Sequence, residues 1–138
     1  LGDILQSCGK FLYEDTIPVL GALREDHQLF LVSHGEDSFQ NAKVGASGIA
    51  SFFQEVIITD DVTKVVPLSN IVGSEGKGSV FIEDNPLALV ESKKVFPWLT
   101  TVRINRGEGR YAKEPDDSSF NFVIPNLLEL QKIIAPKL

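Results

Sequence analysis

Methionine is absent from this chain of 138 residues, and it has one Cys, one Trp and two His. With Cys8 alone no intramolecular disulfide can form, and a reducing cytoplasm is the expected compartment. One Cys with His27 and His34 gives no basis for a zinc site, so Cys8 reads as a small helix-face residue. Basic residues are few: 13 Lys and Arg against 19 Asp and Glu leave a net charge of −6. Such a balance lacks the footprint of a protein that binds nucleic acid or an anionic membrane. No apolar run approaches the ~18 residues of a spanning helix. A beginning at Leu1-Gly2-Asp3 carries no basic segment of a signal peptide, and the missing Met suggests a processed, excised or incompletely recorded chain.

The content that remains is that of one globular domain over 1–138, with 43% hydrophobic and 23% charged residues. Residues 1–12 read as the tail of a helix, with Ile4, Leu5 and Cys8 on one side. Thr16 is the expected cap of a helix with Pro18 in its first turn and Val19, Leu20 and Leu23 on one face. A continuous apolar strand over 29–32 then ends in Ser33-His34-Gly35. A helix from about Asp37 places Phe39, Ala42 and Ala46 at helical spacing and closes at Gly48. An apolar hinge over 49–53 leads to a second strand over 56–59, which ends in Asp60-Asp61, expected to cap the following turn. Lys64 precedes a short helix with Val65, Leu68 and Val72 on one side, and a loop over 73–78 follows. Strands over 79–82 and 100–104 flank a helix over 87–94. Residues 106–121 read as a surface loop, and Asn126 as the cap of a last helix facing inward through Leu127, Leu130 and Ile134. Four alternations of strand and helix predict an α/β fold, a Rossmann-like, doubly wound and mainly parallel sheet.

The most informative stretch is Ser79-Val80-Phe81-Ile82-Glu83-Asp84-Asn85-Pro86. An apolar strand without alternation suits a sheet covered on both faces. Asn85 can cap the next helix, and Pro86 fits its first turn, where no amide is needed. Glu83 and Asp84 therefore stand at the carboxyl end of a strand, where open α/β sheets place their ligands. Adjacent carboxylates repel unless a cation or proton lies between them, and hard oxygen donors suit Mg²⁺. The alternative is a solvated acidic turn. Ser33, Asp60-Asp61 and Asn105-Arg106 also follow the last apolar residue of a strand, so parallel pairing gathers them at one edge.

In that order, a strand ending in Ser33-His34-Gly35, a lone Lys64 and a strand ending in Glu83-Asp84 resemble the haloacid dehalogenase-like (HAD) hydrolase superfamily. Leu29-Phe30-Leu31-Val32-Ser33 is similar to its second motif, Lys64 to the lysine of its third, and Val80 to Asn85 to its fourth; Lys64 lies twenty residues before Asp84, as in that family. The resemblance implies Mg²⁺-assisted hydrolysis of a small phosphorylated molecule, with attack by an Asp and an aspartyl-phosphate hydrolysed in turn by water. It gives Ser33 and Lys64 catalytic roles, makes Ser33, His34, Gly35 and Lys64 the phosphate-binding set, and assigns Mg²⁺ to Asp84 helped by Glu83. Two departures stand out. The DxDx(T/V) signature of the nucleophile does not occur in these 138 residues, Asp3 lacking both the strand and the second Asp, and Ala88 stands where many members carry a further Asp. The resemblance thus covers the core without its first strand and cap, with the nucleophile expected upstream of residue 1. The strands ending at Ser33 and Asp84 are then expected to flank a gap, filled by an upstream segment or second chain or closed by direct pairing. Two other readings are a non-catalytic module that has lost its nucleophile motif and, less favoured by acidic residues at 83 and 84, a hydrolase of carbon–halogen bonds. Phe96 and Trp98 read as packing residues, and Arg103, Arg106 and Arg110 as loop solubility or contacts to an anionic substrate.

Overall fold

The structure is a computed structural model that describes residues 13–35, 48–72 and 78–134. Strand β1 (Phe30–His34) pairs in parallel with β2 (Glu55–Thr59), Phe30 opposite Glu55 and His34 opposite Thr59. Three consecutive residues of β1, Leu31, Val32 and Ser33, are buried, which is how a strand covered on both faces reads. A second group holds β3 (Val80–Glu83), β4 (Thr100–Ile104) and β5 (Phe122–Ile124), all parallel, with β4 in the middle. The α/β, doubly wound, mainly parallel arrangement is thus present. Strand β5 adds to the four strands expected: Phe122-Val123-Ile124 lies just past the long loop and pairs from Val102 to Ile104.

Helices cover both faces. Helix α1 (Thr16–Leu23) sets Val19 among Val102, Ile104, Ile124, Leu127 and Leu130, and Leu20 against Leu31 and Ile49, so it lies under both groups of strands. On the other face, α2 (Val65–Val72) and α3 (Pro86–Val95) enclose a core of Leu68, Phe81, Ala88, Leu89, Phe96 and Leu99. The rings of Phe96 and Trp98 pack 5.7 Å apart at its edge, as expected of packing residues. Asn85 caps α3 as expected, its Oδ1 accepting from the Leu87 amide at 3.1 Å with Pro86 at the first position. Thr16 is not a cap: it is the first residue of α1 and is buried, and Asp15 precedes it. Asp15 spends its carboxylate elsewhere, accepting from the Leu127 amide at 2.6 Å and pairing with Arg106. Asn126 accepts from the Glu129 amide at 3.3 Å, but the element it starts is a 3₁₀ turn (Leu127–Glu129) running into one helical turn, α4 (Leu130–Ile133). The apolar hinge over 49–53 contains a 3₁₀ turn at Ala50–Phe52. The helix expected from Asp37, the tail over 1–12 and most of the loop over 73–78 lie outside the described residues.

Among the described residues β1 has β2 as its only strand neighbour and β3 has β4, so the strands ending at Ser33 and Glu83 do not pair. A cleft of about 720 Å³ lies between them, with residues of β1, β3, α1 and α2 in its walls.

Candidate functional site

Lys64 is held where β2 hands over to α2. The turn before it is closed by Asp61, whose carboxylate accepts from the Thr63 hydroxyl at 2.6 Å and the Thr63 and Val66 amides at 3.0 and 3.2 Å. The Thr63 hydroxyl, ahead of those amides, holds the Asp61 carboxyl below its ordinary value. Asp61 therefore caps the turn, as expected. Lys64 itself has φ +60, the one non-glycine residue with positive φ among those described. A lysine gains nothing locally from this left-handed geometry, which its surroundings must impose. The result is a side chain 4% exposed, whose Nζ reaches Glu83 Oε1.

Glu83 is fully used. Its Oε1 takes the Lys64 ammonium, and its Oε2 accepts from the amides of Asp84 at 2.9 Å and Asn85 at 3.1 Å. Burial works to raise its carboxyl pKa, but nearby positive charge, Lys64 included, together with these bonds holds the group below its ordinary value. Asp84 is the opposite case. Its carboxylate is buried, neither oxygen has a hydrogen-bond partner among the described residues, and burial raises its pKa. The two adjacent acids are thus divided: Glu83 orients a lysine, and Asp84 alone retains unsatisfied oxygens. Glu83, expected to help Asp84, ends a strand and turns its side chain to Lys64. The described residues include no group of three His, Cys, Asp or Glu able to hold a metal. Ala88 lies fully buried in the apolar core, so α3 adds no carboxylate from that position.

The Lys64–Glu83 pair joins the segment after β2 to the end of β3, so the carboxyl ends of the two strand groups meet at one edge. Ser33, 2% exposed, stands at that end of β1, opposite Ile58. His34 follows half-buried, opposite Thr59. Gly35 differs from expectation: its amide donates to the Thr59 carbonyl at 3.0 Å, closing the β1–β2 end, and so is not free for a phosphate.

Arg103 is the residue that sequence reasoning misjudged. It was expected to serve loop solubility or to meet an anionic substrate, but within β4, beside Glu83 in register, it is 1% exposed. Its guanidinium donates to Asp116 Oδ1 at 2.6 Å and to the Tyr111 carbonyl at 2.7 Å, fastening the loop over 106–121 to the sheet. Asn105 helps, donating to the Ala112 carbonyl at 3.0 Å. Burial raises the Tyr111 phenol pKa, Arg110 opposes this, and Asp84 and Glu83 add to the rise, so this loop runs within electrostatic range of the acidic pair. Arg106 stacks 3.9 Å above the Tyr13 ring while paired with Asp15, so it too is structural.

Comparison with known proteins places this arrangement. No protein-family model and no curated protein matches the chain. Solved structures do. A HAD phosphatase from Thermococcus onnurineus is 27% identical with TM-score 0.73, over 91% of this chain and 59% of its own. The HAD-family protein YfnB of Bacillus subtilis, solved bound to magnesium, is 17% identical with TM-score 0.72, over 89% and 56%. An L-2-haloacid dehalogenase from Xanthobacter autotrophicus is 17% identical with TM-score 0.69, over 88% and 60%. The chain has the fold of the HAD-like hydrolases, and it spans less than two thirds of the length of these structures. Among the described residues no helix is long and apolar enough to cross a membrane.

Proposed function

We propose that this chain is the part of a HAD-like phosphohydrolase that holds the phosphoryl group and the metal. The nucleophilic Asp comes from sequence outside these 138 residues, the substrate is a small phosphorylated molecule, and the cytoplasm is the compartment the lone Cys8 favours. One observation carries the reading: of two adjacent buried acids, one is committed to a buried lysine and the other keeps both oxygens unsatisfied. An orphaned buried carboxylate is costly unless a cation or proton completes it. Mg²⁺ fits its hard oxygens, and YfnB supplies a magnesium-bound example on the same fold. In this reading Asp84 holds Mg²⁺, with Glu83 acting through Lys64 rather than as a direct ligand. When bound, the metal neutralises charge on the transferring group. Lys64, its ammonium fixed by Glu83, binds the phosphoryl oxygens as a compact cation, and Ser33 donates its hydroxyl to another. His34 lies beside them at the same strand end and contributes its backbone.

The test is turnover of a generic aryl phosphate by a longer chain in which a DxDx(T/V) strand precedes Leu1. Mg²⁺-dependent turnover is expected, falling roughly 10²–10³-fold in Lys64→Ala or Asp84→Asn. Unchanged turnover in both variants would overturn the assignments, and turnover by the 138 residues alone would show the nucleophile to lie within them. The specific feature favouring a non-catalytic module is the absence of DxDx(T/V) from the chain. A longer chain that binds Mg²⁺ at Asp84 yet turns over no phosphate ester would establish that reading instead.

A further inference from the structure

The arm that leaves the carboxyl end of β4 folds back on itself, and its backbone is fixed along most of its length. Asn105 holds both limbs: its Oδ1 accepts from the Gly107 amide at 2.9 Å, and its Nδ2 donates to the Ala112 carbonyl at 3.0 Å. The Ala112 amide donates to the Gly109 carbonyl at 3.4 Å, and the Glu114 amide to the Tyr111 carbonyl at 3.0 Å. Gly107 and Gly109 stand at φ +78 and +102, where a side chain would be strained, so the fold-back depends on them. Arg103 ties this arm to the site, because its guanidinium donates to the Tyr111 carbonyl and its strand position is opposite Glu83. Residues in register in a parallel pair point to one face, so the Tyr111 backbone is held on the face where Glu83 meets Lys64.

Three arginines stand on β4 and this arm, and two of them are spent. Arg103 is paired with Asp116, and Arg106 with Asp15. Arg110 has no ion pair among the described residues; it is exposed, with its guanidinium 5.6 Å from the centroid of the Tyr111 ring. A guanidinium over a ring keeps its N–H donors, whose planar fork fits a carboxylate or a phosphate. The Tyr111 phenol it accompanies lies within electrostatic range of Asp84 and Glu83.

We propose that Arg110, displayed beside Tyr111 on this fixed arm, is a subsite for a second anionic group, so that the substrate is a small phosphate monoester that also carries a carboxylate or a second phosphate. The inference rests on the phosphohydrolase reading given above and narrows its substrate. Lys64, held by Glu83, serves the phosphoryl group, while Glu83 and Asp84 repel any further anion at the strand end. Arg110 supplies the opposite sign beyond them, in a chain whose net charge of −6 gives an anion little other attraction. A neutral leaving group gains nothing from this cation. Because the backbone over 105–112 is already ordered, an anion that binds Arg110 orders one side chain and not a loop, which keeps the cost of binding low.

The probes are butylphosphonate, 5-phosphonopentanoate and butane-1,4-diphosphonate, which share one phosphonate head on a flexible spacer and are not hydrolysed. Each is titrated by calorimetry into the 138-residue chain with Mg²⁺ present. The two doubly anionic probes are expected to bind about fivefold more tightly than butylphosphonate. Arg110→Ala should remove that advantage and leave butylphosphonate unchanged. Whichever of the two loses more in this variant identifies the second group as carboxylate or phosphate. Lys113→Ala removes the same charge three residues further along and should change none of the three affinities. Lys64→Ala should weaken all three alike. Equal affinity for the three probes, an advantage that survives Arg110→Ala, or an equal loss in Lys113→Ala would overturn the subsite, while the Lys64 effect keeps the phosphate cradle. An advantage lost in Arg110→Ala with no effect of Lys64→Ala would keep the subsite and overturn the cradle. No binding of any probe would overturn both.

Discussion

The ammonium of Lys64 and the carboxylate of Glu83 form a buried ion pair that ties the end of one strand group to the end of the other. Both side chains are 5% exposed or less, so neither can fall back on water if its partner is removed. Breaking such a pair from one side leaves an uncompensated buried charge, which costs about 3–5 kcal/mol. Glu83→Gln should lose stability on that scale in urea unfolding, and Lys64→Met combined with Glu83→Gln should lose much less than the sum of the singles. A loss under about 1 kcal/mol for Glu83→Gln would mean that the lysine reaches solvent, as surface pairs do.

The backbone at Lys64 gives a separate expectation. Lys64→Ala and Lys64→Gly both delete the ammonium, but alanine keeps a β-carbon at φ +60 and glycine does not. The Gly variant should be the more stable of the two by about 1 kcal/mol, the cost of a left-handed residue with a side chain. The comparison cancels the loss of the ion pair, so equal midpoints would show that the left-handed turn carries no strain.

These residues also mark how far the sequence could be read. The strand runs at 29–32, 56–59 and 79–82 were legible because each is a largely apolar run that ends abruptly in polar residues, and 100–104 because Thr-Thr-Val-Arg-Ile is β-prone. Strand β5 was not, since three residues directly after a polar loop have no periodicity to recognise, and Phe122 and Val123 are exposed. Asn85 and Asn126 were readable as caps because the cap is a local bond. Asp15 was not, because its partners Arg106 and Leu127 are about ninety and more than a hundred residues away in the chain. The division of labour between Glu83 and Asp84 was equally hidden. Spacing shows two acids at a strand end, but which one meets Lys64 depends on a register between elements. Arg103 lay inside a strand that was legible, but the burial of all of residues 101–104 was not, because a charged side chain in a strand reads as facing solvent.

Arg103 makes its own prediction. Its planar guanidinium reaches Asp116 and the Tyr111 carbonyl together, and a lysine at the same place can satisfy only one direction. Arg103→Lys should cost about 1–3 kcal/mol and speed proteolysis within the loop over 106–121. Asp116→Ala should also be costly, by about 1–3 kcal/mol, because it leaves the buried guanidinium of Arg103 short of a partner even though Asp116 itself is half exposed. If limited proteolysis cuts both variants and the parent at equal rates, Arg103 does not fasten the loop.

Asp84 carries a pH dependence of its own. Its folded pKa is raised by burial, so the folded state holds the proton more tightly than the unfolded chain. The charged form therefore costs stability, and that cost grows as pH rises from about 3.9, the ordinary Asp value, through the raised folded value. Glu83 has the opposite sign: its folded pKa is lowered, so its contribution is present above about 4.3 and is lost as pH falls through the lower folded value. Asp84→Asn removes the first effect and leaves the second, so Glu83 cancels from the difference between variant and parent. That difference should be small near pH 3 and should favour the Asn variant by about 0.5–2 kcal/mol at neutral pH without metal, the range of gains found on relieving a strained functional site. Millimolar Mg²⁺ should reverse it, since a cation that binds the ionised Asp84 stabilises the parent and not the variant. Urea unfolding of both proteins across this pH range, with and without Mg²⁺, measures each part. A difference that is flat with pH would show that Asp84 is solvated rather than buried. One that varies with pH but ignores Mg²⁺ would leave Asp84 an orphaned acid and remove the metal from it.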